Sequence, residues 1–344
     1  MRAKSLVCLV VSLILLGSLL VVGCSPAAAP TGEAPTRVTI GAGSIGGTSN
    51  LIANAWAGVL KKFQDIDATV ITYPMNYTAP AAVTGETELS VSNTQLSYDS
   101  YYGLGPHADR GPLPDMREVM PLYDGPLQIW VTVDSPYKTF RDLIGKRIGP
   151  GTKGMGPESF LAKGLPALGL DWEKDFDLVY SSHKEGGSAL VSGKIAAYMA
   201  TSKPPHPTLL ETDLTRPLRL IGFTDEDAAA LTKAVPGVGV QLIPPDFYHM
   251  DVAVKTISAV GQGITKADFS EDIVYWLIRN ARENTEFIGY YYKTHQEWLE
   301  SGDVKYWVEA SPSPTDVPLH KAAVRYYKEI GWNVPPERIP PEAQ

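Results

Sequence analysis

From residue 37 to residue 199 the chain alternates short β-branched runs with helical patterns, in two successive passages. Strands kept apart by helices pair in parallel and are covered by those helices, so this alternation points to an α/β architecture. The first passage predicts strands at 38–40, 69–72 and 89–91, and helices at 51–63, 79–83 and 94–102. A Gly/Pro-rich loop, 103–114, ends it. The second predicts strands at 128–133, 147–148, 177–180 and 195–199, with helices near 139–143, 158–168 and 188–192. The last third differs, with a long helical pattern at 272–292 and an amphipathic one at 320–331.

Each passage carries a glycine-rich turn at a comparable place, 43–49 in the first and 149–156 in the second. The first lies in RVTIGAGSIGGTSN, Arg37 to Asn50, a strand, a turn and a helix start. Such a turn aims free backbone N–H groups and the positive end of a helix at one point, which suits an anion. Gly41, Gly43 and Gly46 also spell G-x-G-x-x-G. A dinucleotide loop needs an acid ending the second strand to hold a ribose, and that strand ends Ile71-Thr72-Tyr73-Pro74. A phosphate loop needs Gly-Lys-Ser/Thr, and Gly47 leads into Thr48 with no lysine. A carboxylate site and a purely structural turn remain.

The leader sets the compartment. Arg2 and Lys4 precede an apolar run to Val22, and Val21-Val22-Gly23 lead into Cys24. This resembles a bacterial lipoprotein signal: residues 1–23 are cleaved and Cys24 carries lipid, with an uncleaved membrane anchor as the alternative. Residues 24–36, rich in Pro, Ala, Gly and Thr, then form a lipid-anchored linker. Cys8 lies in the leader, so the folded part has no cysteine for disulfides, thiol catalysis or metal binding. The net charge of −8 becomes two units more negative once the leader is gone, which argues against nucleic acid as a partner.

Five polar loop clusters follow predicted strand ends, where parallel sheets place ligands. They supply Ser44, Gly46, Gly47, Thr48 and Ser49; Asn76 and Tyr77; Asn93 and Gln95; Thr152, Lys153, Met155 and Gly156; and Ser202 and Lys203. Lys153 and Lys203 read either as charge partners for an acid or as solvated lysines. Asn93 reads either as a ligand contact or as a helix cap. The six histidines show no metal-ligand spacing, and no nucleophile elbow occurs. No metal, cofactor or catalytic residue is therefore expected, and the chain reads as no enzyme.

The order of these pieces resembles the TAXI family, the solute receptors of TRAP transporters. The shared elements are the turn Gly43–Ser49, the segment Thr84-Gly85-Glu86-Thr87-Glu88-Leu89 and the proline-linked Tyr123-Asp124-Gly125-Pro126-Leu127-Gln128. Asp142-Leu143-Ile144-Gly145-Lys146-Arg147-Ile148-Gly149 and the stretch His320 to Gly331 complete the match. The chain departs from the family at Met75-Asn76-Tyr77, at Gly154-Met155-Gly156-Pro157 and at Gly193-Lys194-Ile195-Ala196-Ala197. The resemblance implies a type II periplasmic-binding-protein fold, two α/β lobes with a ligand cleft and a hinge. Lobe I would be 37–126 plus 252–344, lobe II 127–251, with the hinge near 128–133 and 251–258. It implies an extracytoplasmic, membrane-tethered receptor that captures a small organic anion and delivers it to a TRAP permease. The anion would be an amino acid, a dicarboxylate or a bulkier acid. An ABC-importer receptor and a secreted α/β enzyme acting on a small acid are the alternatives.

Overall fold

A computed structural model of the protein describes residues 36–154, 156–309 and 317–344. The expected leader, Cys24, all of the linker except Thr36, and Met155 lie outside these residues. The strands are β1 (Arg37–Ala42), β2 (Asp67–Thr72), β3 (Leu89–Asn93), β4 (Met116–Thr132), β5 (Arg147–Gly149), β6 (Asp177–Leu178), β7 (Ala197–Thr201), β8 (Leu218–Ile221), β9 (Gly239–Ile243) and β10 (Val254–Lys266). They run in the order β2-β1-β3-β10-β4-β7-β5-β6, with β8 on β4 and β9 on β10. The architecture is mixed α/β. β1 pairs β2 and β3 in parallel, and β5 pairs β6 and β7 in parallel. Two long antiparallel strands, β4 and β10, join these blocks.

Periodicity predicts β4 only from residue 128, and the family resemblance adds a proline-linked strand over Tyr123–Gln128. Met116–Leu122 is the unexpected part; Pro121 and Pro126 offer no N–H to a ladder, so the local pattern here does not read as a strand. β4 is nevertheless buried almost throughout. The partner β10 absorbs the irregularity by shifting register between Gly261 and Gln262 and again between Gln262 and Ile264. β4 pairs β10 as far as Pro126 and pairs β7 from Leu127 onward. Thr256 Oγ1 on β10 donates to Leu127 O at 2.6 Å, next to that change of partner.

The helices are α1 (Thr48–Gln64), α2 (Thr78–Thr84), α3 (Thr94–Tyr102), α4 (Gly156–Gly164), α5 (His183–Val191), α6 (Pro207–Asp213), α7 (Asp225–Ala234), α8 (Glu271–Glu283), α9 (Thr285–Gly289), α10 (Lys293–Glu300), α11 (Asp303–Glu309) and α12 (Lys321–Glu329). The pattern at 272–292 is broken at Asn284, which caps the C-terminus of α8 and precedes α9. The pattern at 158–168 ends early as an α-helix: Pro166 lies in a 3-10 turn, Leu165–Leu168. α5 covers His183–Val191 instead of 188–192, because Ser182 and Glu185 form a reciprocal capping box.

The apolar interior is divided. α1 packs on β1 and β3, and α8 and α12 pack on each other and on β4, around the fully buried Trp56, Ile52 and Leu60. α4 and α7 pack around Phe140, Phe160 and Leu231 against the second half of β4. A third cluster around Trp130 and Tyr198 lies with α5 and α6. Each fully buried side chain of this size contributes about 1.5–3 kcal/mol. Among the described residues no helix is long and apolar enough to cross a membrane.

Asp124 sits two residues before β4 changes partner. Burial, with Asp303 adding to it, pushes its carboxyl up to about 6, while Lys203, Trp307 and Gln241 oppose the shift. Between about pH 4 and pH 6 the folded chain thus holds a proton there that the unfolded chain has lost. Stability from this group falls as pH rises through that window. We expect Asp124→Asn to remove about 2–3 kcal/mol of this decline. Denaturant titrations of both proteins across the window check it, and parallel curves would contradict it.

Candidate functional site

The first turn is built to leave a helix end open. Gly47 N–H donates to Ser44 O at 3.0 Å and closes the turn ahead of α1. Gly43 N–H donates to Ser49 Oγ at 3.0 Å and ties the strand end to the helix. Gly43 must be glycine here: a Cβ would lie 2.7 Å from Ser49 Oγ and 2.9 Å from Met75 Sδ. Gly47 is the N-cap, so no side chain caps the helix, and its first turn has no acidic residue. The amides of Thr48, Ser49 and Asn50 therefore have no intrahelical partner, and the positive helix end stays uncompensated.

This helix end lines a cleft of about 820 Å³, open mouth included. Ser44, Gly46, Gly47, Thr48, Ser49, Leu51, Pro74, Met75, Asn93, Tyr123 and Tyr292 contribute one part of its wall. Thr152, Lys153 and Gly156 come from the turn before α4, Thr201 and Ser202 from the end of β7, His183 from α5, and His206 with Pro207 from the start of α6. Tyr123 reaches the cleft across Gly261, where a Cβ would come within 2.1 Å of the ring. Burial pushes its phenol well above the usual range, so it stays neutral.

The two glycine-rich turns are electrostatically unequal. At α4 the Glu158 carboxylate accepts from Gly154 N–H at 2.5 Å and from Tyr180 Oη at 2.9 Å. An acid of the protein already occupies that helix start, which lowers its capacity for a second anion. At α1 no such acid intervenes.

The wall around Ser202 and His206 rests on a chain of hydrogen bonds. His206 N–H donates to Tyr248 Oη at 2.7 Å, and Tyr248 Oη–H donates to Gln128 Oε1 at 3.2 Å. Gln128 Nε2 then donates to Ser202 O at 2.8 Å and Ser202 Oγ at 2.9 Å. The His206 ring lies 4.5 Å from that of His183, centroid to centroid, and meets Trp130 edge-on at 5.6 Å. His183 Nδ1 is 2.9 Å from Tyr198 Oη. His206 Nδ1 is buried with no protein partner. Burial, with His183 adding to it, drives His206 down to about 3, and burial lowers His183 as well. Both rings are neutral near neutral pH.

Of the residues singled out from sequence, Ser44, Gly46, Gly47, Thr48, Ser49, Asn93, Thr152, Lys153, Gly156 and Ser202 meet in this cleft. Asn93 also caps α3, its Oδ1 accepting from Leu96 N–H at 2.9 Å. Four others lie elsewhere. Asn76 sits in an adjoining depression beside Gly154. Tyr77 is held by Glu86, with the Arg110 guanidinium 4.9 Å from its ring centroid. Gln95 is buried and donates to Asp99. Lys203 turns away, its Nζ 5.4 Å from the Trp298 ring centroid, because Asp124 and that ring offer a better seat than the cleft. Sequence reasoning missed Tyr123, His183, His206 and Tyr292, which lie outside the five polar loop clusters. The adjoining depression is lined by an ion pair, Lys163 to Asp99, and Thr94 Oγ1 donates to Gly237 O at 2.5 Å. Among the described residues no group of three His, Cys, Asp or Glu could hold a metal ion.

A family model described as NMT1-like matches residues 40–331. Several solved structures are similar in backbone course. A TctC solute-binding protein from Polaromonas aligns at TM-score 0.48 and 16% identity, over 77% of this chain and 90% of that one. An arginine-binding protein mutant from T. maritima aligns at 0.46 and 12%, over 77% and 96%. The alkanesulfonate-binding protein SsuA from Xanthomonas axonopodis pv. citri aligns at 0.45 and 17%, over 89% and 86%. Likenesses this distant assign no ligand to this chain.

Proposed function

We propose, from the premise that this chain belongs to the NMT1-like family, that it is an extracytoplasmic solute receptor which holds a small organic anion in the cleft and passes it to a membrane permease. The observation that carries this reading is the uncapped, acid-free start of α1 in a cleft that Lys153 also lines, its Nζ 5.9 Å from the Tyr180 ring centroid. An anion there gains three backbone donors and the helix dipole without displacing any protein carboxylate. In this reading residues 37–126 with 252–344 and residues 127–251 are two lobes, and β4 and β10 are the strands about which they close. Closure desolvates the ligand and strengthens each of its hydrogen bonds.

The likeness to TAXI receptors supports a TRAP-type permease as the partner, and the leader motif supports lipid anchoring at Cys24. The hydrogen bonds of the two cleft histidines run to Tyr198 and Tyr248 and not to a cleft hydroxyl, which favours capture over turnover. A thermal-shift screen of the purified chain against carboxylates, sulfonates, sugars and simple cations tests the reading. Organic anions should raise Tm with a dependence on concentration over Kd. Stabilisation by sugars or cations alone, or consumption of the acid during incubation, would overturn it.

A further inference from the structure

The lining of the cleft is selective in what it omits. Among the described residues no Asp or Glu contributes to its wall. The nearby carboxylates are committed: Glu158 to Gly154 N–H and Tyr180, Asp99 to Lys163 and Gln95, Glu185 to the Ser182 cap. An ammonium group taken into the closed cleft would lose its water and find no anion, which is strongly unfavourable. A second carboxylate fares little better. Lys203 is turned onto Trp298, and the start of α4 already carries Glu158. Only one anionic group is provided for.

The far wall offers something different. His206 is 7% exposed and lines the cleft; its Nδ1 is fully buried with no protein partner, so a ligand hydroxyl meets it only after a small turn of the ring. Its neighbour His183 is neutral too, its Nδ1 engaged by Tyr198. A neutral imidazole nitrogen accepts or donates one hydrogen bond according to tautomer, and a hydroxyl satisfies either case. Thr201 and Ser202 hydroxyls lie in the same stretch of wall.

Resting on the receptor reading above, we infer that the ligand is a hydroxyl-bearing monocarboxylic acid without an amino group. Its carboxylate lies at the Thr48, Ser49 and Asn50 amides beside Lys153, and its hydroxyl lies at the His206–His183 pair. Leu51, Met75, Tyr123 and Tyr292 are the apolar surface for its carbon skeleton. Amino acids and dicarboxylates, both implied by the TAXI resemblance, are selected against.

The test is calorimetric titration of the full chain, near neutral pH, on two skeletons, 3-phenylpropionate and 4-methylpentanoate. Each is offered as the plain acid and as its 2-hydroxy, terminal-hydroxy, 2-amino and 2-carboxymethyl derivatives. At least one hydroxy acid should bind about tenfold or more tighter than the amino acid and the diacid of its skeleton. His206→Phe should narrow that hydroxy acid's advantage over the plain acid to less than about threefold. If that variant does not fold, the ligand series on the unaltered chain decides alone. An amino acid or diacid binding as tightly as the hydroxy acids would overturn this inference and leave the receptor reading standing. Binding by no acid of either skeleton would overturn both.

Discussion

Replacing Gly47 with Asp should stabilise the protein and abolish its anion binding at once. Gly47 is the N-cap of α1, with φ −80° and ψ 160°, a backbone conformation that any residue adopts. Its Cβ would lie 3.1 Å from Ser44 O, so the turn must give by a few tenths of an ångström. An aspartate there can accept from the Asn50 amide and place a negative charge at the positive helix end. Together these are worth about 1 kcal/mol to the folded state. In a chain of this size that is a rise in Tm of about 2 °C. The same carboxylate occupies the donors an anionic ligand needs and repels it across a few ångströms. Affinity for any organic acid should fall by about a hundredfold or more. Gly47→Ala, which adds the Cβ without the charge, should bind within about tenfold of the original. Titration calorimetry with thermal unfolding reads both effects. A Gly47→Asp protein that keeps its affinity would remove α1 from the site.

The largest stability effect is expected far from the cleft. Glu118 on β4 is 2% exposed, and its Oε2 accepts from Arg338 Nη2 at 2.9 Å and from Gln262 Nε2. Burial pushes this carboxyl upward, while Arg338 and Gln262 pull it back. The chain beyond α11 returns here: Leu319 bridges Glu118, and Arg338 is itself 4% exposed. Glu118→Ala leaves the Arg338 guanidinium buried without a counter-charge, which costs about 3–5 kcal/mol. Replacing both partners, as Glu118→Leu with Arg338→Met, should recover at least half of that loss, because no orphaned charge remains. Urea titrations of the three proteins give the comparison. Equal losses in the single and double variants would mean that the pair itself, and not the orphaned charge, carries the energy.

The fold was most legible where local chemistry decides it. α3 was read correctly at both ends, because Asn93 caps its start and Gly103 follows its end in a left-handed conformation, φ +67°. β1 and the presence of a helix after it are written in the β-branched run and the glycines that follow, although α1 begins at Thr48, three residues before the predicted 51. Elements held by distant contacts were not legible. The first half of β4, with its two prolines, and β10, with Gly261 and Gly263 in its middle, are strands because they are buried against each other. A local pattern does not display that.

The candidate site divides the same way. Its first-turn half was readable because consecutive residues, Ser44 to Ser49, form one loop. Its histidine half was not. His183 and His206 stand 23 positions apart at the starts of two helices and meet only through the packing around Trp130 and Tyr198. The capping box at Ser182 and Glu185 marked a helix start there, and that signal alone could have brought His183 forward. Lys203 misled for a related reason. A loop lysine in a neutral cluster suggests an anion site, and only the fold reveals the Trp298 ring and Asp124 beside it.

An anion held by the free amides at the start of α1 has to change the environment of those amides. The most direct measurement is the backbone amide resonances of Thr48, Ser49 and Asn50 during titration with 3-phenylpropionate, compared with its uncharged analogue 3-phenylpropionamide. The acid should produce large, saturable shifts at these three amides, and 3-phenylpropionamide none. Largest shifts at residues 151–156, or equal shifts with both compounds, would contradict anion binding at α1.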